Sequence, residues 1–417
     1  MHIIVIGAGI VGMTTAWYLA RDGHSVSVVD AAAAPGQLTS QANGAQLSYS
    51  FVAPLADPAV LPKLPSWLLG RETPLRLHLR ADLDQWRWGL AFLRACRRSQ
   101  AHRTTAELLQ LGLHSRRLVH ELVAQAQPEF DFKPSGKLLI YQNPASYTAA
   151  LGQVNYQATL GCEQIVLNRQ ACLEREPALA DIADRIAGGI YTATEDAGDC
   201  QRLCCELERL LRTAANPVRF HFGTQVRGLR ANAAGIDALD TDAGDMQADA
   251  YVIANGVDAQ RLARGVGLEP SIYPLKGYSL TYELTDSSRA PLTSVSDVHN
   301  KVVYARLGQR LRVAGMVDIG ARGTAVDPVR IATLEREVAA YFPRLAAAAP
   351  PQAWAGLRPA RPDGKPVIGA TRYRNLWLNA GHGGLGFTLA AGSARLLADQ
   401  ITGLTSFMPP EIFALKT

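Results

Sequence analysis

Residues 1–30, MHIIVIGAGIVGMTTAWYLARDGHSVSVVD, change hydrophobic period twice. The unbroken apolar run at 3–6 predicts a buried parallel strand. GAGIVGMTTAWYLARDG predicts a tight turn and then a helix that stops at Gly23. SVSVVD predicts a second strand closing on Asp30. Further along, Leu108, Leu109, Leu111, Leu118, Leu122 and Val123 recur at helical spacing and predict a helix over 104–128. Another is predicted over 80–100, RADLDQWRWGLAFLRACRRSQ, behind the proline-rich connection SFVAPLADPAVLPKLPSWLLG. GKLLIYQ at 136–142 and residues 250–254 read as strands, while DPVRIATLEREVAAYFP and TLAAGSARLLADQ read as helices. DCQRLCCELERLL reads as a helix capped by Asp199. At 417 residues the chain is longer than one hydrophobic core usually serves, so two domains are expected.

The glycines of the opening have separate tasks. Gly7 allows the tight turn, and Gly9 lets backbone approach a pyrophosphate. Gly12 and Ala16 let helix and strand pack closely. The helix N-terminus, at Ile10 and Val11, presents backbone N–H groups to the phosphates. Asp30 is placed to accept a hydrogen bond from an adenosine ribose, and its charge would repel a 2′-phosphate. Strand, helix, second strand and terminal acid agree in register, which points to a dinucleotide. The motif does not separate FAD from NAD. A second stretch bears on that choice: QLTSQANGAQLS at 37–48, with Ser40, Ala42, Asn43, Gly44 and Gln46, is small, polar and glycine-bearing. It suits close passage beside a pyrophosphate or flavin, and taken alone it also suits a surface loop. Asn255-Gly256 follows a strand and precedes a helix, a further place for backbone to approach a cofactor or a simple βα turn. Gly381, Gly383, Gly384 and Gly386, with Leu385 among them, lead into the last helix. Its free N–H groups would stabilise negative charge arriving on a flavin.

These stretches together resemble the FAD-dependent amine and amino-acid oxidoreductases of the D-amino-acid oxidase superfamily. Within it the chain is most similar to the bacterial D-amino-acid dehydrogenase small-subunit family. The likeness is carried by the opening, by TSQANGAQLS, by YPLKGYSLT at 273–281, by WAGLRPARPDGKPVIG at 354–369 and by NLWLNAGHGGLGFTLAAGSARLLADQITG at 375–403. It implies non-covalent FAD and an α/β plus α+β fold: a doubly wound FAD-binding domain with a second, mixed-sheet substrate domain. The FAD domain is expected at 1–48, 190–265 and 354–417, a helical insertion at 49–135, and the substrate domain at 136–189 and 266–353. The implied reaction is oxidative deamination of D-amino acids to 2-oxo acids and ammonia, with electrons passed to a quinone or other respiratory-chain acceptor. Cyclic or N-methyl substrates such as D-hydroxyproline, proline or sarcosine are the alternative. The resemblance also brings the backbone near Val226 to the adenine and Gly356 to the cofactor. The chain departs from its relatives at Ala45, at the AAAAP after Asp30, at Gly384 in place of threonine and at Phe387 in place of tryptophan.

An amino acid offers a carboxylate, and a planar guanidinium clamps a carboxylate with two parallel hydrogen bonds. Arg358, between glycine and proline in AGLRPARPDGKP, is the candidate, and the resemblance matches it to the family's carboxylate-binding arginine. Tyr278 is a candidate hydroxyl donor to the same carboxylate. His382, the nearest polar side chain in the final glycine turn, either contacts flavin or substrate or holds the loop. The implied reaction needs no side-chain nucleophile, and no Gly-x-Ser-x-Gly, HExxH or Walker motif is present.

Charge changes the picture in one segment. Between residues 61 and 105 there are nine Lys or Arg against three Asp or Glu, in a chain whose net charge is +5. No nucleic-acid-binding motif accompanies this basic stretch, so no nucleic-acid partner is expected. Leu83, Trp86, Leu90 and Leu93 share one helical face, with Arg87, Arg94 and Arg98 beside it and Trp67, Leu68 and Leu69 upstream. Such a face suits an anionic bilayer surface, its own protein or a partner chain. Six cysteines are too few for a disulfide scaffold, and the spacing of Cys200, Cys204 and Cys205 matches no usual metal pattern, so no metal is expected. No apolar run approaches membrane-spanning length, and a strand at 3–6 leaves no room for an export leader. The expected location is the cytoplasm or, peripherally, the cytoplasmic side of the inner membrane.

Overall fold

The computed structural model describes residues 1–69, 74–232, 234–347 and 349–416. Residues 70–73, inside the expected insertion, lie outside the described residues, as do 233, 348 and 417.

The opening forms strand His2–Ile6, helix Ile10–Arg21 and strand Ser25–Val29. These strands join a six-stranded sheet in the order 367–370, 376–380, 250–253, 2–6, 25–29, 219–221. All of its pairings are parallel except that between Val367–Ala370 and Leu376–Ala380. Side chains alternate along a strand, so each strand feeds two cores. Ile3, Val5 and Val28 pack beneath helices Ile10–Arg21, Arg98–Ala126, Cys200–Arg212 and Gly386–Thr402. Ile4, Ile6 and Val29 face the other way, onto a three-stranded antiparallel sheet (226–246) and helix Ala259–Gly265. Asp199 caps its helix as expected, accepting from the N–H groups of Gln201 and Arg202 at 3.1 Å each.

The second sheet has ten strands and mixed direction. Its spine is Tyr273–Asp286, paired antiparallel with Arg310–Ile319 on one side and Gln352–Ala360 on the other. Helix Pro328–Tyr341 covers one face, capped by Asp327 and opened by proline at its first position.

Three expected boundaries move. Gln352–Ala360 belongs to the second sheet, so the chain returns to the cofactor layer after 360 rather than at 354. Gly188–Thr192 belongs there too, paired with Lys137–Tyr141. The expected insertion is also not one unit. Leu108, Leu109, Leu111, Leu118 and Leu122 are buried in the core of the first domain. The reason is the same in each case: partners distant in sequence, not local pattern, decide which layer a strand or helix joins. The helix expected over 80–100 divides at an extended Arg97 into Leu83–Ala95 and Arg98–Ala126, and the second therefore begins before 104.

Candidate active site

A cavity of about 890 Å³ runs between the two sheets. Its first end is made by the opening motif. Gly7 has φ +109°, and a Cβ there would fall 2.7 Å from Asn255 Cα. A Cβ on Gly12 would fall 1.8 Å from the Gly7 carbonyl oxygen. Gly12 therefore acts by helix–strand packing, while Gly7, Gly9, Ile10 and Val11 line the cavity. The Ile10 N–H donates to Ser40 Oγ at 3.1 Å, so one donor expected to face phosphates is already met. Asp30 accepts from the N–H of Ala8 at 2.6 Å and of Ala32 at 2.7 Å, which fixes its carboxylate on the cavity wall. Each oxygen of a carboxylate has two acceptor sites, so one per oxygen remains for a ribose. The Val226 carbonyl, also on the wall, accepts from Arg261 Nη2 at 3.0 Å.

Ser40, Ala42, Asn43, Gly44 and Gln46 line the middle. The second sheet pins this segment: Ser279 Oγ donates to the Ala42 carbonyl at 2.7 Å and Arg312 Nη1 to that of Asn43 at 3.0 Å. Ala45 takes a left-handed turn, φ +55°, supported by Asn43 Oδ1 accepting from its N–H at 3.0 Å. Asn255 Oδ1 and Asn379 Oδ1 are buried in this wall without a hydrogen-bond partner among the described residues. Buried polar atoms are normally satisfied. Two such acceptors beside a glycine cradle fit a bound dinucleotide.

Arg358 stands at the other end. Its guanidinium crosses the neighbouring strand over Gly277, where a Cβ would sit 2.4 Å from Arg358 Cζ, and Nη1 donates to the Met316 carbonyl at 3.0 Å. That carbonyl is delivered by a bulge: the register slips between Lys276 and Tyr278, and Met316 has φ +60°. Gly277 pairs with Gly356, and a Cβ on Gly356 would meet the Trp354 ring at 2.0 Å. Two facing glycines thus clear space for an arginine and a tryptophan. Burial pushes the Arg358 guanidinium down to about 10, opposed by Asp318, so it stays charged at neutral pH. Among the described residues no carboxylate forms an ion pair with it. Asp318 is instead held by Arg330, whose Nε donates to it at 3.0 Å.

Tyr278 and His382 line the cavity but are committed elsewhere. The Tyr278 hydroxyl donates to Asp318 Oδ2 at 2.7 Å, so its hydrogen is not offered to a substrate carboxylate. His382 Nε2 lies 3.1 Å from Ser393 Oγ on the last helix, and burial pushes the ring down to about 3. The imidazole is neutral and tied to the helix that follows the glycine turn. Gly383, Gly384, Leu385, Gly386 and Phe387 all reach the wall, and the Cβ position of Gly384 is 3.8 Å from Arg358 Cδ.

Sequence reading missed Trp354, Met316, Lys137, Lys301 and Phe51, all on the wall. Trp354 was findable, since it shares a strand face with Gly356 and Arg358. Lys137 carried a signal as well, a lysine at the start of the apolar strand Lys137–Tyr141. Its Nζ donates to Ser48 Oγ at 2.8 Å and lies 4.5 Å from the Phe51 ring centre. Burial pushes the Lys137 ammonium down to about 8, opposed by Glu195.

Residues 2–400 match the family model DAO, described as FAD dependent oxidoreductase. The chain is 47% identical over 411 residues to D-amino acid dehydrogenase 2 of Ralstonia nicotianae, covering 96% of each. It is 43% identical over 402 residues to D-amino acid dehydrogenase 2 of Pseudomonas aeruginosa, covering 96% of this chain and 94% of that one. Its fold is similar to glycine oxidase from Geobacillus kaustophilus, with a TM-score of 0.79, 22% identity and coverage of 99% and 98%. It is also similar to L-proline dehydrogenase from P. horikoshii, with a TM-score of 0.76, 16% identity and coverage of 99% and 96%.

Proposed function

The chain belongs to the DAO family of FAD-dependent oxidoreductases, and from that premise we propose that it converts D-amino acids to 2-oxo acids and ammonia. The observation that carries the reading is the charged, carboxylate-free guanidinium of Arg358 at the end of a cavity whose other end is a dinucleotide cradle. Arg358 clamps the substrate carboxylate, and Met316 fixes the guanidinium for that clamp. Trp354, the Tyr278 ring and Met316 form a largely apolar wall that orients the substrate and limits water. Bound FAD supplies the acceptor for the Cα hydride. The residues needed to hold it are Gly7, Gly9, Val11, Asp30, the 40–46 segment, Val226, Asn255, Gly256 and the 383–386 turn. The substrate loses its ammonium proton, leaves as an imine, and hydrolyses in water. No side-chain nucleophile enters.

Anaerobic mixing of the holoprotein with amino-acid enantiomers tests this. D-Amino acids are expected to bleach the yellow absorbance and their L-forms are not. Bleaching by sarcosine or hydroxyproline alone would move the substrate to cyclic or N-methyl amines.

We further propose a quinone or other respiratory acceptor, reached by peripheral attachment to an anionic bilayer on the cytoplasmic side of the inner membrane. On helix Leu83–Ala95, Gln85, Trp88 and Phe92 are buried, so the protein's own packing uses the opposite face. Leu83, Trp86, Leu90 and Leu93 face solvent, Leu83 at 72% exposure, and Leu61, Leu68, Leu69 and Leu79 are exposed in the same insertion. Arg87, Arg94, Arg97 and Arg98 are exposed beside them. An apolar stripe edged by arginines suits lipid tails and anionic headgroups. Among the described residues no helix is long and apolar enough to cross a membrane. The double change Trp86→Glu with Leu90→Glu is expected to move the protein from sedimenting anionic vesicles to the supernatant, with dye-coupled turnover retained. Unchanged sedimentation would defeat the bilayer assignment.

A further inference from the structure

The charges around the substrate end of the cavity do not balance. Among the described residues the cavity wall contains two carboxylates, Asp30 and Asp258, and both lie at the adenosine end. Asp258 is also held by Arg261, Nη2 to Oδ2 at 2.7 Å. At the substrate end stand three cations, Arg358, Lys137 and Lys301. Arg358 is answered by the substrate's own α-carboxylate in the reading above. Lys137 has Glu195 beside it. Lys301 lines the cavity on its solvent-exposed side; it has no hydrogen-bond or ion-pair partner among the described residues, and the charge that acts on it is a second cation, Lys63.

The backbone brings Lys301 to the right place. It stands just before strand Val302–Leu307, whose first residue pairs with Gly315. The Lys301 carbonyl lies 3.0 Å from the Cβ position of Gly315. Gly315 precedes Met316, whose carbonyl receives Arg358 from the other side. The two cations therefore flank one short segment of strand Arg310–Ile319. Arg358 already reaches the Met316 carbonyl, and the strand that follows Lys301 is the next one over, about 4.8 Å away, so a lysine side chain is long enough to reach the far end of a small dicarboxylate held by the guanidinium. Lys301 also has φ +52°, a left-handed conformation in which a lysine is uncommon.

We propose that Lys301 recognises an acidic substrate side chain, so that the preferred substrates are D-glutamate and D-aspartate. This rests on the D-amino-acid reading above. D-Glutamine matches D-glutamate in shape and lacks its charge, so the pair isolates the effect of the lysine. The test measures anaerobic flavin bleaching by the holoenzyme against concentration of each. A charge-assisted hydrogen bond at this position is expected to make half-saturation by D-glutamate roughly tenfold lower than by D-glutamine. Lys301→Gln is expected to bring that ratio close to one, and Lys301→Arg to restore it. Glutarate, which cannot be oxidised, provides a binding readout: its perturbation of the flavin spectrum should weaken in Lys301→Gln by a similar factor, and that of butyrate should not. An unchanged ratio in Lys301→Gln, or neutral D-amino acids preferred by the parent enzyme, would overturn the inference and leave D-amino-acid oxidation standing. If no D-amino acid bleached the flavin, the underlying reading would fall first.

Discussion

Arg358→Met is expected to lower kcat/KM for a D-amino acid about a thousandfold, the equivalent of about 4 kcal/mol, in a protein that remains yellow. Methionine keeps much of the arginine's volume, so the wall stays filled while the charge and its donors disappear. The size follows from the setting. A bidentate guanidinium–carboxylate pair is among the stronger polar contacts. Deleting one partner of a buried charge pair typically costs several kcal/mol, because the other charge is left without an answer. Arg358 is part-buried, and among the described residues no carboxylate pairs with it. The Met316 carbonyl would lose its donor as well, which adds to the loss. Two measurements check this: the FAD content from the visible-to-ultraviolet absorbance ratio, and the substrate dependence of anaerobic bleaching. Retained bleaching at ordinary concentrations would remove Arg358 from the site.

Gly12→Ala is expected to yield protein with little or no FAD and a markedly lower melting temperature. The added methyl would stand 1.8 Å from the Gly7 carbonyl oxygen, a main-chain atom in a tight turn. Neither side can yield by a rotamer change, so helix Ile10–Arg21 must lift from strand His2–Ile6. Overpacking of this kind costs about 1–3 kcal/mol or more, and the lift also carries the helix N-terminus away from the cofactor cradle. Gly89→Ala is the control. Nothing lies within 4 Å of its Cβ position and it sits inside a helix, so about 0.5–1 kcal/mol of stabilisation is expected with FAD retained. Parallel purification, FAD quantification and thermal melts of the two variants separate a steric clash at residue 12 from a general intolerance of helix glycines. Full FAD occupancy in Gly12→Ala would contradict the packing account.

The contrast between what could and could not be read from sequence follows the range of the interactions. The opening strand, helix and second strand were legible because each is specified by its own period and by glycines a few residues apart. Arg358 was legible as a residue type in a motif. Its dependence on Met316 was not, because that carbonyl reaches it through a bulge forty-two residues away in the chain. The same holds for Tyr278, whose hydroxyl is claimed by Asp318 on a paired strand, and for the strand at 352–360, placed by its long partner at 273–286. His382 could be narrowed to two roles from the turn it occupies. Its hydrogen bond to Ser393 on the helix that follows was not legible locally. Lys301 gave no local sign, since its neighbours in DVHNKVV describe only a turn.

The gap at Gly277 has a consequence for reading related genes. The guanidinium of an arginine anchored on one strand lies on the far side of the next, through an opening no wider than a missing methyl. The two positions are therefore sterically coupled, and a side chain at 277 would displace the guanidinium. A homologue that keeps the arginine but fills the opening would look intact in an alignment and yet have its guanidinium displaced, which on the proposed reading is the loss of the carboxylate clamp.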